Sequence, residues 1–207
     1  YLKKNISKNI SFFSPNTDMK RRLIKLMQYI SLEDKERMAS YFFWINPELL
    51  RCILHEKTKN KIVDFDVSNP LIHTLSQLPE NTDRLNKMLY LEMKHFLCDH
   101  NLNYTDKMGM SSGVEIRVPL LDKELVEFSA TLPINMKQRG STGKWIFKKA
   151  MEGLLPNDLI YRSKSGFGVP LRQWMKTNLK EYVNDILSSH SLKNRMIFDQ
   201  DGLERLR

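Results

Sequence analysis

Cysteine is scarce in this sequence, which has only Cys52 and Cys98 among its 207 residues. The two lie far apart in the chain, neither belongs to a C-x-x-C pair, and no pair of histidines is near either one. This arrangement argues against a disulfide framework and against a zinc site, and we name no metal-ligating residue in this chain. We expect both thiols to be free and buried.

Long apolar runs are also lacking. No run reaches the roughly 18 residues that a membrane-spanning helix needs. The first residues are polar and lysine-rich, without the apolar core of a signal peptide. We therefore expect a cytoplasmic protein with no membrane partner. Because the chain begins with Tyr1 rather than Met, we also expect it to be a piece of a longer protein.

The alternating patterns that are typical of strands are nearly absent, and no internal repeat or low-complexity tract is present. Helical periodicity takes their place after a polar segment at residues 1–15, which predicts a mostly helical protein. Predicted helices are one after Asn16 or Thr17, one opened by Ser31 and Asp34, one opened by Pro47, and segments 81–96, 121–132, 142–155 and 179–187. Residues 57–70 interrupt the period with charges and are predicted to form an exposed loop.

The segment 81–96 has the clearest helical pattern. Its apolar residues fall within one stripe about 140° wide at about 100° per residue: Leu85, Met88, Leu89, Met93 and Phe96. Glu92 lies in the same stripe. Its carboxylate must therefore either find a cation or donor, or turn outward into water.

The charge is unbalanced, with 33 Lys and Arg against 24 Asp and Glu and a net charge of +9. A basic surface can bind nucleic acid or polyphosphate. However, the densest basic group, at residues 20–25, is interrupted by Leu23 and Ile24 at core-facing spacing. We interpret it as a solvated helical face and expect no nucleic-acid partner, with a basic helical binding module as the alternative.

The stretch "DKMGMSSGVEIRVPLLD" at 106–122 places four ionisable residues around a turn of small residues: Asp106, Glu115, Arg117 and Asp122. Valine, isoleucine and leucine alternate with these charges, so we expect partial burial and therefore ion pairing. Arg117 should pair with Glu115 or Asp106, and Asp122 should cap the next helix. An ion-pair network without a chemical role is the alternative reading.

A second basic cluster follows downstream. Lys144, Lys148 and Lys149 lie on one predicted helix, which is opened by "GSTGK" at 140–144. That short run lacks the spacing of a phosphate-binding P-loop and does not follow a predicted strand, so we exclude such a site. The helix therefore supplies cations without a phosphate-binding loop of its own.

The stretch "YRSKSGFGVP" at 161–170 sets two cations, Arg162 and Lys164, in front of a glycine-rich turn. Gly166 and Gly168 allow the backbone to approach a ligand closely, and Pro170 stiffens the exit of the loop. Because loops of this kind often carry function, this loop is either a site for a reactive anion, with Lys164 as its cation, or a linker with a surface charge.

Together these stretches resemble glutamine-hydrolysing asparagine synthetases. The run "LNYTDKMGMSSGVEIRVPLLDKELVEFSATLP" is similar to the family's E-x-R-x-P-x-L-D segment. The run "GKWIFKKAMEGLLPNDLIYRSKSGFGVPLRQW" is similar to its K-x-x-L-x-x-A, L-P-x-x-I and R-x-K-x-G-F succession. The resemblance covers roughly residues 80–185, whereas residues 1–80 match only in being helical.

The resemblance implies that residues 1–207 are the C-terminal portion of an α/β synthetase domain of the ATP-pyrophosphatase, or adenine nucleotide alpha hydrolase-like, class. The family's S-G-G-x-D-S phosphate loop and N-terminal glutaminase domain are absent from this sequence. We therefore expect ATP and Mg²⁺ to bind mainly to an upstream half and the fragment alone to be inactive. The resemblance is compatible with a homodimer and does not decide the oligomeric state.

The implied reaction is the ATP-dependent amidation of aspartate through β-aspartyl-AMP, with ammonia from glutamine and with AMP and pyrophosphate as products. The matched motif places Lys164 at the adenylation centre, and we assign Asp106, Glu115, Arg117, Asp122, Arg162 and Gly166 to the substrate site or its immediate surroundings. The alternative is another acyl-adenylating ligase of the superfamily, such as a β-lactam synthetase or a peptide- or sugar-amidating homologue.

Overall fold

The computed structural model describes residues 27, 29–163 and 170–204. Within these ranges the protein is mostly helical, which confirms the prediction from periodicity. Most of the helix predicted after Asn16 or Thr17 lies outside the described residues, as do Lys164 and Gly166.

The helices are short. In chain order they are α1 (Asp34–Ser40), α2 (Pro47–Ile53), α3 (Glu56–Lys61), α4 (Asn69–Ser76), α5 (Arg84–Leu91), a π-helix (Glu92–Leu102), α6 (Asn103–Ser111), a 3-10 turn (Pro119–Leu121), α7 (Lys123–Thr131), α8 (Ile134–Lys137), α9 (Trp145–Met151), α10 (Asn157–Ile160), α11 (Leu171–Lys176), α12 (Lys180–Ile186), α13 (Ser189–Arg195) and α14 (Gln200–Glu204). Among the described residues, none of these helices has the length and apolar character that crossing a membrane requires.

Two strands of two residues each form a small antiparallel hairpin. β1 (Gln138–Arg139) pairs with β2 (Thr142–Gly143), and Gly140 turns the chain between them with a φ of +57°. The helix predicted over 142–155 is therefore wrong at its start, since α9 begins only at Trp145. A positive φ suits a two-residue hairpin turn, and this local preference prevails over the helical period.

The hydrophobic core is small and lies where α1, α4 and α5 meet. Its buried members are Met38, Ala39, Leu71, Leu75 and Leu91. Phe42, Phe43, Ile72, Leu78 and Met88 pack against them and are partly buried. The best-packed part of the described chain thus lies before residue 92, upstream of both candidate site stretches.

The helix predicted over 81–96 begins later and runs further. It starts at Arg84 and passes through the π-helix and α6 without a break, ending at Ser111. Leu91, which lies outside the predicted stripe, is fully buried, whereas Leu89 is 44% exposed. Glu92 is exposed and turns into water. The position of α1 and α4 decides which side of the helix is covered, and periodicity alone cannot supply it.

The helix opened by Pro47 is confirmed, and its cap is Asn46, whose side chain accepts hydrogen bonds from the next turn. The prediction of a loop over 57–70 holds for residues 62–68 and is wrong at both ends, because α3 occupies its start and α4 its end. α3 has no apolar stripe. It is stabilised by His55, whose ring caps the helix, and by the Lys59–Glu56 ion pair at 2.7 Å.

The C-terminal segment returns to α2. The backbone amide of His55 donates to the carbonyl of Ile197 at 2.9 Å, and that of Asp199 donates to the carbonyl of Ile53 at 2.8 Å. Gly202 then lies so close to the α2 backbone that an added Cβ would be 2.6 Å from its nearest oxygen. These contacts fix the end of the described chain against its beginning.

Both cysteines are exposed, so the prediction of two buried thiols is wrong. The main core cluster lies between α1, α4 and α5, and the sides of α2 and the π-helix that carry Cys52 and Cys98 are exposed in the described chain. The prediction that both thiols are free is confirmed.

No residue of the stretch 110–163 is buried. The ammonium of Lys137 joins this stretch to the helix 84–111 by donating to the side-chain oxygen of Asn86 at 2.8 Å, and it also donates to the carbonyl of Ala130, within the stretch, at 3.2 Å. Burial lowers the pKa of Lys137. The stretch is therefore joined to the packed region through polar contacts more than through a core of its own.

We predict that Leu91→Ala lowers the free energy of unfolding by about 2–5 kcal/mol, because truncating a fully buried leucine leaves a cavity. Leu89→Ala is the matched control on the same helix and should change it by less than about 0.5 kcal/mol. Denaturant unfolding followed by circular dichroism measures both. Equal losses in the two variants would contradict this placement of the core.

Candidate functional site

The segment 114–118 presents the predicted charges of the first stretch. Arg117 donates from Nε to one carboxylate oxygen of Glu115 at 3.0 Å and from Nη2 to the other at 3.4 Å. The predicted Glu115–Arg117 pair is confirmed, while Asp106 does not contact Arg117. Asp122 accepts a hydrogen bond from the amide of Leu125 and caps α7, as predicted.

The prediction that these charges are partly buried is wrong. The side chains of Arg117 and Glu115 are 83% and 69% exposed, and Asp106 and Asp122 are exposed as well. The apolar side chains that alternate with them are themselves exposed, so no covering surface is available within the described residues. An ion pair this open to water contributes little to stability. The Glu115–Arg117 pair is therefore not required for stability and can have another role.

Gly109 sets the position of this segment. The amide of Val114 donates to the Gly109 carbonyl at 3.0 Å. A Cβ on Gly109 would lie 2.7 Å from the carbonyl oxygen of Val114 and 2.9 Å from Cδ1 of Ile116. The chain can fold back against the end of α6 only because position 109 has no side chain. This close approach fixes the backbone of the segment that carries Glu115 and Arg117.

A second cluster lies where α9 ends. The ammonium of Lys149 donates to both carboxylate oxygens of Glu152, at 2.9 and 3.1 Å. The hydroxyl of Tyr161 donates to the same carboxylate. The ammonium of Lys148 lies 5.3 Å from the centre of the Tyr161 ring, within the range of a cation–π contact. Of the three lysines predicted to lie on one helix, Lys148 and Lys149 lie on α9, whereas Lys144 precedes it. Lys148 contacts the Tyr161 ring, and Lys149 shares the Glu152 carboxylate with Tyr161, the residue before Arg162.

The ionisation of this cluster reflects its hydrogen bonds. Donation from Tyr161, and then from Lys149, lowers the pKa of Glu152. The same bonds to the carboxylate raise the pKa of Tyr161 and that of Lys149. At neutral pH the carboxylate is thus charged, the phenol is protonated and the ammonium is charged, which is the state that keeps all the donors in place.

The sequence prediction did not include Glu152 or Tyr161. A lysine and a glutamate three residues apart at the end of a helix, as in Lys149 and Glu152, are a visible signal for an ion pair. Tyr161 gives no such signal, because its contact depends on how the chain turns between α9 and α10. No hydrogen bond or ion pair within the described ranges joins this cluster to Glu115 or Arg117.

The surroundings are basic. Over residues 139–163 the five cations Arg139, Lys144, Lys148, Lys149 and Arg162 face only two anions, Glu152 and Asp158. Arg162 is exposed. Such a surface attracts an anionic ligand. Among the described residues, no group of three or more His, Cys, Asp or Glu side chains could hold a metal ion.

Comparison with known proteins points to one family, described as asparagine synthase, whose model matches residues 10–207. The chain is similar to the glutamine-hydrolyzing asparagine synthetase 1 of Bacillus subtilis, with 36% identity over 103 residues, or 50% of this chain and 16% of that protein. It is also similar to asparagine synthetase 3 of the same organism, with 34% identity over 122 residues, or 55% of this chain and 19% of that protein.

A plant relative, the glutamine-hydrolyzing asparagine synthetase of Brassica oleracea, is 30% identical over 96 residues, which cover 41% of this chain and 16% of that protein. The chain therefore matches less than a fifth of the length of each of these three relatives. No solved structure matches it.

We predict that Gly109→Ala loosens the segment that carries Glu115. The added methyl group must displace the Val114 carbonyl, and overpacking of this kind costs about 1–3 kcal/mol. Hydrogen exchange of the Val114 amide should become faster by about fivefold or more. Gly143→Ala is the control, because a Cβ there meets no atom within 4 Å. Unchanged exchange at Val114 in Gly109→Ala would show that the close approach is not constrained.

We also predict the pH range of the Glu152 cluster. The stability that the hydrogen bonds of Glu152 contribute should be lost as the pH falls through the lowered pKa of Glu152. It should be lost again as the pH rises through the raised pKa values of Tyr161 and Lys149. An absorbance titration of tyrosinate, taken as the difference between the parent chain and Tyr161→Phe, should have its midpoint above the ordinary tyrosine value of about 10.

In a Glu152→Gln background the same difference titration should move back toward the ordinary value, because the charged acceptor is gone. An equal midpoint in the parent and in the Glu152→Gln background would show that the Tyr161–Glu152 bond does not form in solution.

Proposed function

Because the chain belongs to the asparagine synthase family, we propose that it is the C-terminal portion of a synthetase domain that amidates aspartate at the expense of ATP. The observation that carries the proposal is the family match over residues 10–207, which includes both stretches of charged residues in their family order. The names of the curated relatives, all glutamine-hydrolyzing asparagine synthetases, support the choice of reaction.

In the proposed reaction the side-chain carboxylate of aspartate attacks the α-phosphorus of ATP, and pyrophosphate leaves. Ammonia released from glutamine then attacks the β-aspartyl-AMP, which yields asparagine and AMP. Negative charge grows on the phosphoryl oxygens in the first step. A cation held about 3 Å away stabilises that transition state more than the ground state.

We assign that cation to Lys164 and place Arg162 beside it as a partner for phosphate or carboxylate. Arg162 is exposed and directly follows Tyr161, so it is available to a ligand. Gly166 leaves room for the backbone to approach the nucleotide. The Glu115–Arg117 pair, Asp106 and the cap Asp122 would border the substrate site and hold its shape.

The exposed apolar residues of the segment 114–120 support the proposal that another part of the protein covers this segment. Four apolar side chains at alternate positions are 43 to 58% exposed: Val114, Ile116, Val118 and Leu120. A complete domain rarely exposes so many large apolar side chains together. We propose that an upstream half of an α/β ATP-pyrophosphatase fold covers them and holds most of the ATP. The described residues lack an acidic cluster for Mg²⁺, so we assign its ligands to that half.

The remaining features of the proposal follow from the family. A glutaminase domain would supply ammonia, the cytoplasm would be the place of reaction, and the fragment alone would be inactive. A homodimer is compatible with this assignment.

We predict that the full-length gene product releases pyrophosphate in an aspartate-dependent manner and that Lys164→Ala lowers the rate by about 10²- to 10³-fold, the usual effect of losing a transition-state donor. Glutaminase activity should be retained. A panel of other carboxylates in the same assay identifies the acceptor. Release that depends on another carboxylate would replace aspartate as substrate, and near-parental release in Lys164→Ala would remove Lys164 from the mechanism.

A further inference from the structure

The chain between α9 and Arg162 closes into a compact turn. α9 ends at Met151, and the amides of Leu154 and Leu155 both donate to its carbonyl at 3.0 Å. Gly153, with a φ of +83°, reverses the chain. α10 follows this turn and ends just before Tyr161. The Tyr161 amide donates to the carbonyl of Asn157, the first residue of α10, at 2.9 Å. The two basic motifs are thereby brought to the same turn.

Glu152 joins the two arms of this turn. Its carboxylate accepts hydrogen bonds from Lys149 on the first arm and from Tyr161 on the second. Hydrogen bonds to a charged acceptor are the stronger kind, and three donated bonds restrict the carboxylate to one orientation. The Lys148 ammonium over the Tyr161 ring holds the ring from its face. Neither the hydrogen bonds to Glu152 nor the cation–π contact of Lys148 is part of the hydrophobic core.

We infer that Glu152 is a positioning residue, which acts through the Tyr161 hydroxyl to hold Arg162 next to the lysines of α9. The inference rests on the proposed function, in which Arg162 and Lys164 face the phosphoryl group. Lys164 is only three residues beyond Tyr161 in the sequence, so little chain length separates the fixed ring from the reacting cation. Small displacements of reacting groups are costly for rate.

The positioning role and a merely structural role predict different results. Glu152 and Tyr161 are exposed, and contacts of this kind contribute little to global stability. Their loss should therefore leave the thermal midpoint close to that of the parent protein while it changes the rate. If the two residues act through one bond, the double variant should be no worse than either single variant.

The kinetic test uses the full-length gene product with aspartate, ATP and glutamine. Glu152→Gln and Tyr161→Phe should each lower kcat for pyrophosphate release by about 10- to 100-fold, the range that follows small displacements of reacting groups. The KM for glutamine should not change, and the double variant should match the singles. Glu127→Gln, which removes the carboxylate of an exposed pair with Lys123, and Tyr182→Phe are matched controls and should leave kcat unchanged.

A second measurement does not require activity. Tryptic cleavage after Arg162, followed by mass spectrometry of the native protein, should become faster by about threefold to tenfold in both single variants, as expected when one hydrogen bond stops holding a segment closed. The control variants should keep the parental cleavage rate. If the parent protein shows no aspartate-dependent pyrophosphate release, the proposed function fails, and the cleavage rates still decide whether the bond holds Arg162.

Three outcomes overturn the inference. Unchanged cleavage after Arg162 in both variants shows that the bond does not hold the segment. Faster cleavage with unchanged kcat in an active enzyme shows that the held position has no bearing on the reaction. Losses of kcat that add up in the double variant show that Glu152 and Tyr161 act independently.

Discussion

The burial of Leu91 is the constraint on which the arrangement of the described chain depends. Its side chain is fully covered by the core that α1 and α4 provide. It also ends α5, within the uninterrupted helical stretch that runs from Arg84 to Ser111. Gly109 near the far end and Asn86 near the start of this stretch hold the Glu115 segment and the Lys137 region, respectively. One apolar contact therefore orients residues that have no core of their own.

Features that depend on neighbouring residues in sequence were predictable. Pro47 marked the start of α2, Asp122 marked the cap of α7, and the two-residue spacing of Glu115 and Arg117 indicated their ion pair. The mostly helical class followed from the absence of alternating patterns. Each of these features depends on backbone geometry or on side chains within a few positions of one another, and such short-range relations can be read from the sequence.

Features that depend on what covers a residue were not predictable. Leu91 and Leu89 are equally apolar, and only the position of α1 and α4 decides between them. The exposure of Cys52 and that of Arg117 have the same origin, since hydrophobic neighbours in sequence do not guarantee a covering surface. The Tyr161–Glu152 bond was missed because a glycine-containing turn brings together residues nine positions apart. The family match was needed to connect the two charged stretches to one reaction.

The π-helix at Glu92–Leu102 gives the protein an unusual sensitivity to chain length. A π-helix accommodates more residues per turn than an α-helix, so inserting or deleting a residue in it changes the winding of this segment and rotates α6 about its axis relative to α5. Gly109 and the Glu115 segment would then face a different direction, although every residue of the core and of the charged stretches remained in place. Insertions and deletions in these eleven residues should therefore be tolerated far less than substitutions.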